Sequence, residues 1–301
     1  MSAFVNSTSF FGRRACTSRR ATRSQRRPGG SVVCSVEWAG KNRTIEIDGI
    51  PLSFDYVPGQ YPVVMYLPPF FYAKDPLAKA NSLKAFCERR GQGFISQDYY
   101  GTGRSGGDFE DGTISLWTDH AIEILERVLR NQKVVLVTSG VGLWIGVQVA
   151  LRRKTQVVGI VGMSVDPDFT EELIVPSFSD EQKSALEKDG VVEIVWGYKT
   201  YPISKKFIEN AKTQLILQGG PDSIGVECPV RLLQGMADEE IPDELALRLA
   251  SSLQSKDVRL TYIKGSNHNM ETESDFKLMC DNTEQILDQF FEFDLRTPGS
   301  G

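Results

Sequence analysis

Along most of this chain, short runs of β-branched and other apolar residues alternate with segments whose apolar residues recur at helical spacing. The short runs predict strands at residues 44–47, 52–56, 63–67, 93–97, 134–137, 157–161, 230–233 and 258–263. The helical spacing predicts helices at residues 77–90, 114–129, 142–151, 243–253 and 276–291. Such alternation is typical of an α/β protein with a mostly parallel central sheet and helices on both faces.

One stretch, at residues 166–226, interrupts this alternation with polar helices and aromatic residues. We interpret it as a small cap inserted into a single α/β domain that spans residues 35–301. Trp196, Tyr198 and Tyr201 give this cap an apolar or aromatic surface, but they do not identify a ligand.

The stretch at residues 134–151 contains no charged residue and is long enough to suggest a membrane span. Its first four residues are mostly β-branched, and a turn of small residues follows at Thr138, Ser139 and Gly140. This order favours a central strand, a sharp turn and a buried helix, because strands of parallel sheets are apolar on both faces. We therefore predict no transmembrane segment.

The first 34 residues differ from the rest in composition. They contain seven arginines and many serines and threonines, and no acidic residue precedes Glu37. This composition predicts an organelle transit peptide. Residues 29–35 are similar to a plastid processing site, which favours the chloroplast stroma, with the mitochondrion as the alternative because the two targeting compositions overlap. A basic arm that binds nucleic acid is the other reading of this segment.

Charge and metal-ligand content exclude several classes of partner. The whole chain has a formal net charge of −5. Removing the seven N-terminal arginines leaves 27 basic against 39 acidic residues, a net charge of −12, which argues against nucleic acid or an anionic membrane as partner. With His120 and His268 as its two histidines and no CxxC pair, the chain has no pattern for a metal site or another cofactor. His120 is expected on the outer side of its helix, and the oligomeric state is left open.

Candidate catalytic residues follow several of the predicted strands. In an open parallel sheet the chemistry lies at the carboxyl ends of the strands. Residues 98–105 read D-x-x-G-x-G-x-S after one strand, the turn at residues 138–142 follows the central strand, Asp238 follows another and His268 follows the last. The order of elbow, acid and histidine is the order of an α/β-hydrolase triad. Asp238 is thus the candidate acid and His268 the candidate general base.

At this point the chain resembles a known family. Residues 88–144 and 228–268 are similar to α/β-hydrolases of the palmitoyl-protein thioesterase and acyl-glucuronide esterase type, and to bacterial serine aminopeptidase-like hydrolases. The more specific parts are residues 109–114 with Trp117, and residues 228–233. The resemblance implies the α/β-hydrolase fold, a serine hydrolase that cleaves acyl esters or thioesters, and no metal or other cofactor.

The chain departs from that family at the nucleophile elbow. The family pattern V-G-S-S-M-G-G-W lies residue by residue on positions 137–144, which places the nucleophile on Gly140. Ser139 matches the preceding serine, which is not catalytic in the family. Phe70, which follows Pro69 where the family has glycine, and Val141 are the expected backbone donors of an oxyanion hole. Gln234 stands where the family has a histidine.

Three functions remain compatible with this sequence. The favoured one is a catalytically impaired α/β-hydrolase, a pseudoenzyme that keeps a pocket for a small acyl ester or thioester. Glycine adopts the positive φ of an elbow without strain, but it has no hydroxyl. The second is a working esterase or thioesterase that uses Ser139 or activated water, although Ser139 at the tip would put Val137 and Val141 where glycine is needed. The third is an interaction module without catalysis.

Overall fold

A sheet of eight strands forms the centre of the protein in the computed structural model, which describes residues 38–72, 78–130, 132–196 and 199–296. The strands are β1 (Gly40–Ile47), β2 (Ile50–Val57), β3 (Gln60–Leu67), β4 (Gln92–Gln97), β5 (Val134–Ser139), β6 (Val157–Met163), β9 (Val230–Gly235) and β10 (Val258–Ile263). Their order across the sheet is β1-β2-β4-β3-β5-β6-β9-β10. The β1–β2 and β2–β4 pairings are antiparallel, and the other five pairings of this sheet are parallel. This confirms the predicted α/β-hydrolase fold.

Helices cover both faces of this sheet. They are α1 (Ala78–Arg90), α2 (Ile114–Arg127), α3 (Val141–Arg152), α7 (Glu244–Ser252) and α8 (Glu273–Arg296). Apolar side chains of α2, α3 and α7 belong to the core on one face, and those of α1 and α8 to the core on the other. His120 of α2 lies buried near Tyr100, so its expected place on the outer side of that helix is wrong.

The central strand shows why residues 134–151 are so apolar. All six residues of β5 are buried. Val134 and Leu136 belong to one core and Val135 and Val137 to the other, as the two-residue period of a strand requires. The apolar helix α3 then covers the sheet. None of the helices among the described residues has the length and hydropathy that crossing a membrane would need.

The chain between β6 and β9 carries the elements that the cap prediction concerned. A π-helical turn (Thr170–Ile174) leads into α4 (Val175–Ser177), α5 (Asp180–Asp189), the two-stranded sheet of β7 (Val191–Trp196) and β8 (Lys199–Ser204), and α6 (Lys205–Lys212). Helix α5 begins at a capping box of Ser179 and Gln182 and ends at Gly190, whose φ is 79°. The predicted transit peptide at residues 1–34 lies outside the described residues.

Hydrogen bonds and aromatic contacts hold this inserted segment together and connect it to α3 and to Phe70. The carboxylate of Asp168 accepts the backbone N–H groups of Ile216 and Leu217 at 2.8–3.0 Å. Trp144 of α3 donates its indole N–H to the carbonyl oxygen of Gln214 at 2.9 Å. The ring of Phe70 contacts a set of aromatic side chains from both regions: Phe109, Trp117, Phe169, Tyr201 and Phe207. The inserted segment therefore packs against Phe70, which follows β3.

Candidate active site

The turn between β5 and α3 has the backbone of a nucleophile elbow, and Gly140 is at its tip. Gly140 has φ 54° and ψ −134°, a conformation that favours glycine. Two residues later the helix passes so close to the end of β3 that a Cβ on Gly142 would lie 2.4 Å from the carbonyl oxygen of Leu67. Glycine is therefore unstrained at the tip, position 140, and required at position 142, where the backbones approach closely.

The flanking residues fix which position is the tip. Ser139 is the last residue of β5 and pairs with Met163 of β6, so it lies in the strand. Thr138, which stands where the family pattern has its first glycine, donates its hydroxyl to the carbonyl oxygen of Val161 at 3.2 Å. Its methyl group packs against Gly146, where a Cβ would lie only 3.0 Å away. The elbow therefore accommodates Thr138, and its tip carries no hydroxyl.

The hydroxyl of Ser139 contacts a lysine. Lys79 of α1 is 4% exposed and donates from Nζ to Ser139 Oγ at 3.0 Å. Burial lowers the pKa of Lys79 to about 8, against the opposing charges of Glu271, Asp275 and Asp166. Lys79 is not among the candidate residues predicted from the sequence. The pattern does mark it, because residues 79, 83 and 87 lie on one buried face of α1, and the other buried residues of that face are apolar.

The predicted acid and base meet at the carboxyl ends of β9 and β10. Nδ1 of His268 lies 3.0 Å from Oδ2 of Asp238. The other oxygen of Asp238 accepts the backbone N–H groups of Glu240 and Ile241, both at 2.9 Å. Since these bonds orient the carboxylate toward the ring, His268 carries its proton on Nδ1 and leaves Nε2 free to act as a base.

The charges of this pair support each other. Burial alone would raise the pKa of Asp238, but the hydrogen bond with His268 and the two N–H donors lower it on balance. Burial alone would lower the pKa of His268, but Asp238 and the nearby charges of Asp166 and Glu240 raise it on balance. At neutral pH Asp238 is therefore ionised, and its charge favours the protonated form of His268.

Gln234 connects the acid to the neighbouring strand. Its side-chain N–H donates to Oδ2 of Asp238 at 3.0 Å, and its side-chain oxygen accepts the backbone N–H of Val165 at 2.8 Å. The residue that departs from the family pattern thus holds the Asp238 loop and the chain after β6 in a fixed relation.

The predicted oxyanion donors lie on either side of Gly140. Val141 is the first residue of α3, where a backbone N–H has no partner within the helix. Phe70 follows Pro69, whose Cβ lies 3.3 Å from the point that a Cβ of residue 140 would occupy. The backbone N–H groups of Phe70 and Val141 donate to no other backbone group among the described residues. This arrangement leaves both available to a ligand oxygen.

Asp166 is a second site residue, after Lys79, that the sequence pattern did not indicate. It is 6% exposed, and its Oδ2 lies 3.3 Å from the point that a Cβ on Gly140 would occupy. Among the described residues its Oδ1 has no hydrogen-bond partner. Burial raises the pKa of Asp166 to about 7, partly opposed by the charge of His268. Its position soon after β6, at the carboxyl end of a central strand, is what could have indicated a site residue. The sequence pattern instead favoured the start of the cap there.

A small cavity joins these groups. It has a volume of about 60 Å³, room for about four water molecules or a short acyl group. Its polar lining comes from the residues already described at the strand ends, and its apolar lining from the elbow side and the cap: Pro69, Phe70, Phe169, Ile174, Ile194, Trp196, Tyr201, Ile203 and Ile241. No group of three or more metal-ligating side chains occurs within the described ranges.

Comparison with known proteins places this arrangement in context. No family model matches the chain. Palmitoyl-protein thioesterase ABHD10, mitochondrial, from Homo sapiens is 28% identical over 244 residues, which are 79% of this chain and 77% of that protein. The Bos taurus protein of the same name has the same identity and coverage.

Solved structures show the same likeness. α/β hydrolase domain-containing protein 10 from mouse superposes with a TM-score of 0.75 at 26% identity, covering 82% of this chain and 98% of that one. A hydrolase structure from Agrobacterium vitis S4 also gives 0.75, at 30% identity over 81% of this chain and 96% of that one. Est1E from Butyrivibrio proteoclasticus, with ferulic acid bound, has a TM-score of 0.67 at 16% identity and shares the fold.

Proposed function

Since the chain belongs to the α/β-hydrolase superfamily, we propose that it binds a short acyl ester or thioester under its cap and forms no acyl-serine intermediate. The observation that carries this proposal is Gly140 at the elbow tip, with φ 54°, beside an intact Asp238–His268 pair. A base that faces no hydroxyl cannot perform the first step of covalent serine catalysis. The relatives named as palmitoyl-protein thioesterases suggest the ligand class.

The size of the cavity limits the acyl group. A cavity of about 60 Å³ is small beside the roughly 300–1,000 Å³ usual for small-molecule pockets, so it suits a short acyl group better than a long chain. The apolar lining from the cap suits a few methylene groups, and the free N–H groups of Phe70 and Val141 suit a carbonyl oxygen. We therefore expect short acyl groups to bind better than palmitoyl.

Two measurements test this proposal. Wild-type protein should show no labelling by a fluorophosphonate probe. Mouse α/β hydrolase domain-containing protein 10, treated in the same way, is the protein with which the extent of labelling is compared. Calorimetric titration should show that butyryl-N-acetylcysteamine binds at least tenfold more tightly than the palmitoyl thioester. Stoichiometric labelling of the wild-type protein, or equal affinity for both chain lengths, would contradict the proposal.

A pair of neighbouring residues in β7 provides a control for the binding site. Ile194 lines the cavity and is buried, while Val195 is 75% exposed on the other face of the strand. Ile194→Trp should abolish butyryl thioester binding by filling the cavity, and Val195→Trp should leave it unchanged. If both variants bind equally well, the ligand does not occupy this cavity.

One contact favours a second function, esterase activity from Ser139 with Lys79 as its base. The 3.0 Å bond between Nζ and Oγ and the lowered pKa of Lys79 are what a lysine base needs. Against it, Ser139 lies within β5, one residue before the tip and its N–H donors. Ester hydrolysis that Ser139→Ala and Lys79→Met both abolish would establish this function and replace the first.

We also infer that residues 1–34 direct import into an organelle. The curated relatives are named as mitochondrial proteins, which favours the mitochondrion. The plastid rests on the composition of the segment and on the similarity of residues 29–35 to a plastid processing site. A reporter fused to residues 1–45 should be imported into an organelle. Retention of this reporter in the cytosol would contradict the inference.

A further inference from the structure

We propose that Asp166 and His268 hold and activate a water molecule at the position beside Gly140 that a serine side chain would occupy, so that the bound acyl group is hydrolysed without a covalent intermediate. Asp166 thereby becomes a catalytic residue of this protein. The inference rests on the proposed acyl-binding function and adds a reaction to it.

The position of the carboxylate is the first observation. Oδ2 of Asp166 lies 3.3 Å from the point that a Cβ of residue 140 would occupy, on the cavity side of the elbow. Pro69 bounds the same point on the other side, with its Cβ also at 3.3 Å. A water molecule in the cavity beside Gly140, at van der Waals distance from its Cα, would have this carboxylate within hydrogen-bond reach and would lie next to the bound carbonyl carbon.

The second observation is the unmet hydrogen bonding of that carboxylate. Asp166 is 6% exposed, and its Oδ1 has no partner among the described residues. Asp168, two residues later, is also buried, yet it accepts backbone N–H groups from Ile216 and Leu217. A buried carboxylate with an unsatisfied oxygen is costly unless it has a role, such as binding a water or a substrate group.

The third observation is that the chain around Asp166 is held rigidly toward His268. Ser164 donates its hydroxyl to the carbonyl oxygen of His268, and Val165 donates its N–H to Gln234. Gln234 in turn donates to Asp238, the partner of His268. These bonds fix the loop after β6 to the loops after β9 and β10, so the carboxylate and the imidazole line one cavity.

Several titratable groups face Asp166 from the surrounding elements. They are His268 after β10, Asp238 and Glu240 after β9, Lys79 of α1 and the phenol of Tyr99 after β4. Burial raises the pKa of Asp166 to about 7, and the adjacent negative charges raise that of His268. The ionised carboxylate of Asp166 can therefore act as the base while the protonated imidazole of His268 acts as the acid.

The reaction follows from that protonation state. The water oxygen forms a bond to the acyl carbon as its proton passes to the carboxylate of Asp166, and the carbonyl electron pair moves to the oxygen facing Phe70 and Val141. The tetrahedral intermediate then expels the thiolate or alkoxide, which takes the proton from His268. A proton passes from Asp166 back to His268, and the products are a carboxylic acid and a thiol or alcohol.

The test compares turnover of butyryl-N-acetylcysteamine by wild-type protein and by Asp166→Asn, which keeps the shape of the side chain. We expect kcat to fall about 10²-fold or more, with KM changed less than threefold. The wild-type pH profile should be bell-shaped around neutral pH, and the variant should lose its acidic limb. Asp222→Asn, the same chemical change at an exposed site, should have no effect.

Three outcomes would overturn the inference. They are wild-type turnover in Asp166→Asn, loss of turnover in Ser139→Ala, and a wild-type protein that binds the thioester but hydrolyses it no faster than buffer. The last would leave the proposed binding function intact. Failure of that function would show differently, as absence of calorimetric binding or as fluorophosphonate labelling.

A single-turnover reaction in ¹⁸O water separates direct attack by water from attack by Asp166. With direct attack by water, the acid product should carry the label from the first cycle. If Asp166 itself attacked the acyl carbon and water then hydrolysed the intermediate at the Asp166 carboxyl, the first product would be unlabelled.

Discussion

The two halves of the site share one sheet edge but differ in how their polar groups are satisfied. In the β9–β10 half, both oxygens of Asp238 are hydrogen-bonded, and His268 is held at 3.0 Å. In the β5–β6 half, Gly140 offers no side chain, and the adjacent carboxylate of Asp166 has an oxygen without a partner among the described residues. The acid–histidine pair is therefore stabilised by hydrogen bonds within its own loops and does not depend on a nucleophile.

The difference has an energetic side at the elbow. A residue with a Cβ held at the φ and ψ of Gly140 would cost on the order of 1–3 kcal/mol. Glycine avoids that strain, so the β5–β6 half keeps its turn without the serine that normally occupies it. The free-energy cost in this half comes instead from burying the carboxylate of Asp166, one oxygen of which has no hydrogen-bond partner among the described residues.

The largest expected effect is a gain of function that makes the two halves alike. Gly140→Ser should give fluorophosphonate labelling that the wild-type protein lacks, because it places a hydroxyl before His268. Adding Asp166→Ala should increase the labelling rate by about another tenfold, since the carboxylate lies 3.3 Å from the new Cβ and repels the developing alkoxide. Labelling kinetics followed by intact-protein mass spectrometry measure both steps.

The matched control for this gain is Gly140→Ala with Asp166→Ala, which has the same backbone strain and no hydroxyl. It should not label. Labelling of this control, or of the wild-type protein at the rate of Gly140→Ser, would show that the reactive serine is elsewhere and remove the basis of the comparison.

The next effect tests whether the β9–β10 half is ready to work. In the Gly140→Ser background, His268→Ala should reduce labelling about 10²-fold, because the base that activates the hydroxyl is removed. In the wild-type background the same change should leave the Kd for the butyryl thioester and the Tm nearly unchanged. If thioester binding is lost instead, His268 contacts the ligand directly and contributes to binding as well as acting as a base.

Stability separates the two buried aspartates of the β6 loop. Asp168→Asn replaces a carboxylate that accepts two backbone N–H groups, and we expect it to lower the free energy of unfolding by about 1–3 kcal/mol. Asp166→Asn removes a poorly satisfied charge and should be neutral or stabilising at pH 8. Urea unfolding at that pH compares the two. A larger loss from Asp166→Asn would mean that its carboxylate is structural.

The smallest effect is a pH dependence of stability. The pKa of Asp166 rises from 3.8 to about 7 on folding, so between these values the folded protein holds a proton that the unfolded chain has released. The free energy of unfolding therefore falls as pH rises through this window. The Tm of Asp166→Asn should exceed that of wild type by more at pH 8 than at pH 5, measured by scanning fluorimetry. An equal difference at both values would place the pKa near that of an ordinary carboxylate.

Much of this molecule could be predicted from local pattern. Every predicted strand of the sheet is present within a few residues of its expected bounds, because burial on both faces of β5 and its neighbours requires continuous apolar runs. Gly140 at a positive-φ tip, and the meeting of Asp238 with His268, also followed from motifs at strand ends. These features depend on residues whose spacing along the chain reflects one strand, one turn and one helix.

The sequence by itself determined the architecture, the order of the site residues and the absence of a hydroxyl at position 140, because each depends on residue type and local period. Only the tertiary structure decided that Lys79 reaches Ser139 from a helix 60 residues earlier, and that Asp166 lies beside Gly140. Those contacts arise where the ends of separate strands converge under a cap. A carboxylate after β6 becomes chemically significant only when burial raises its pKa and the neighbouring strand leaves room beside it.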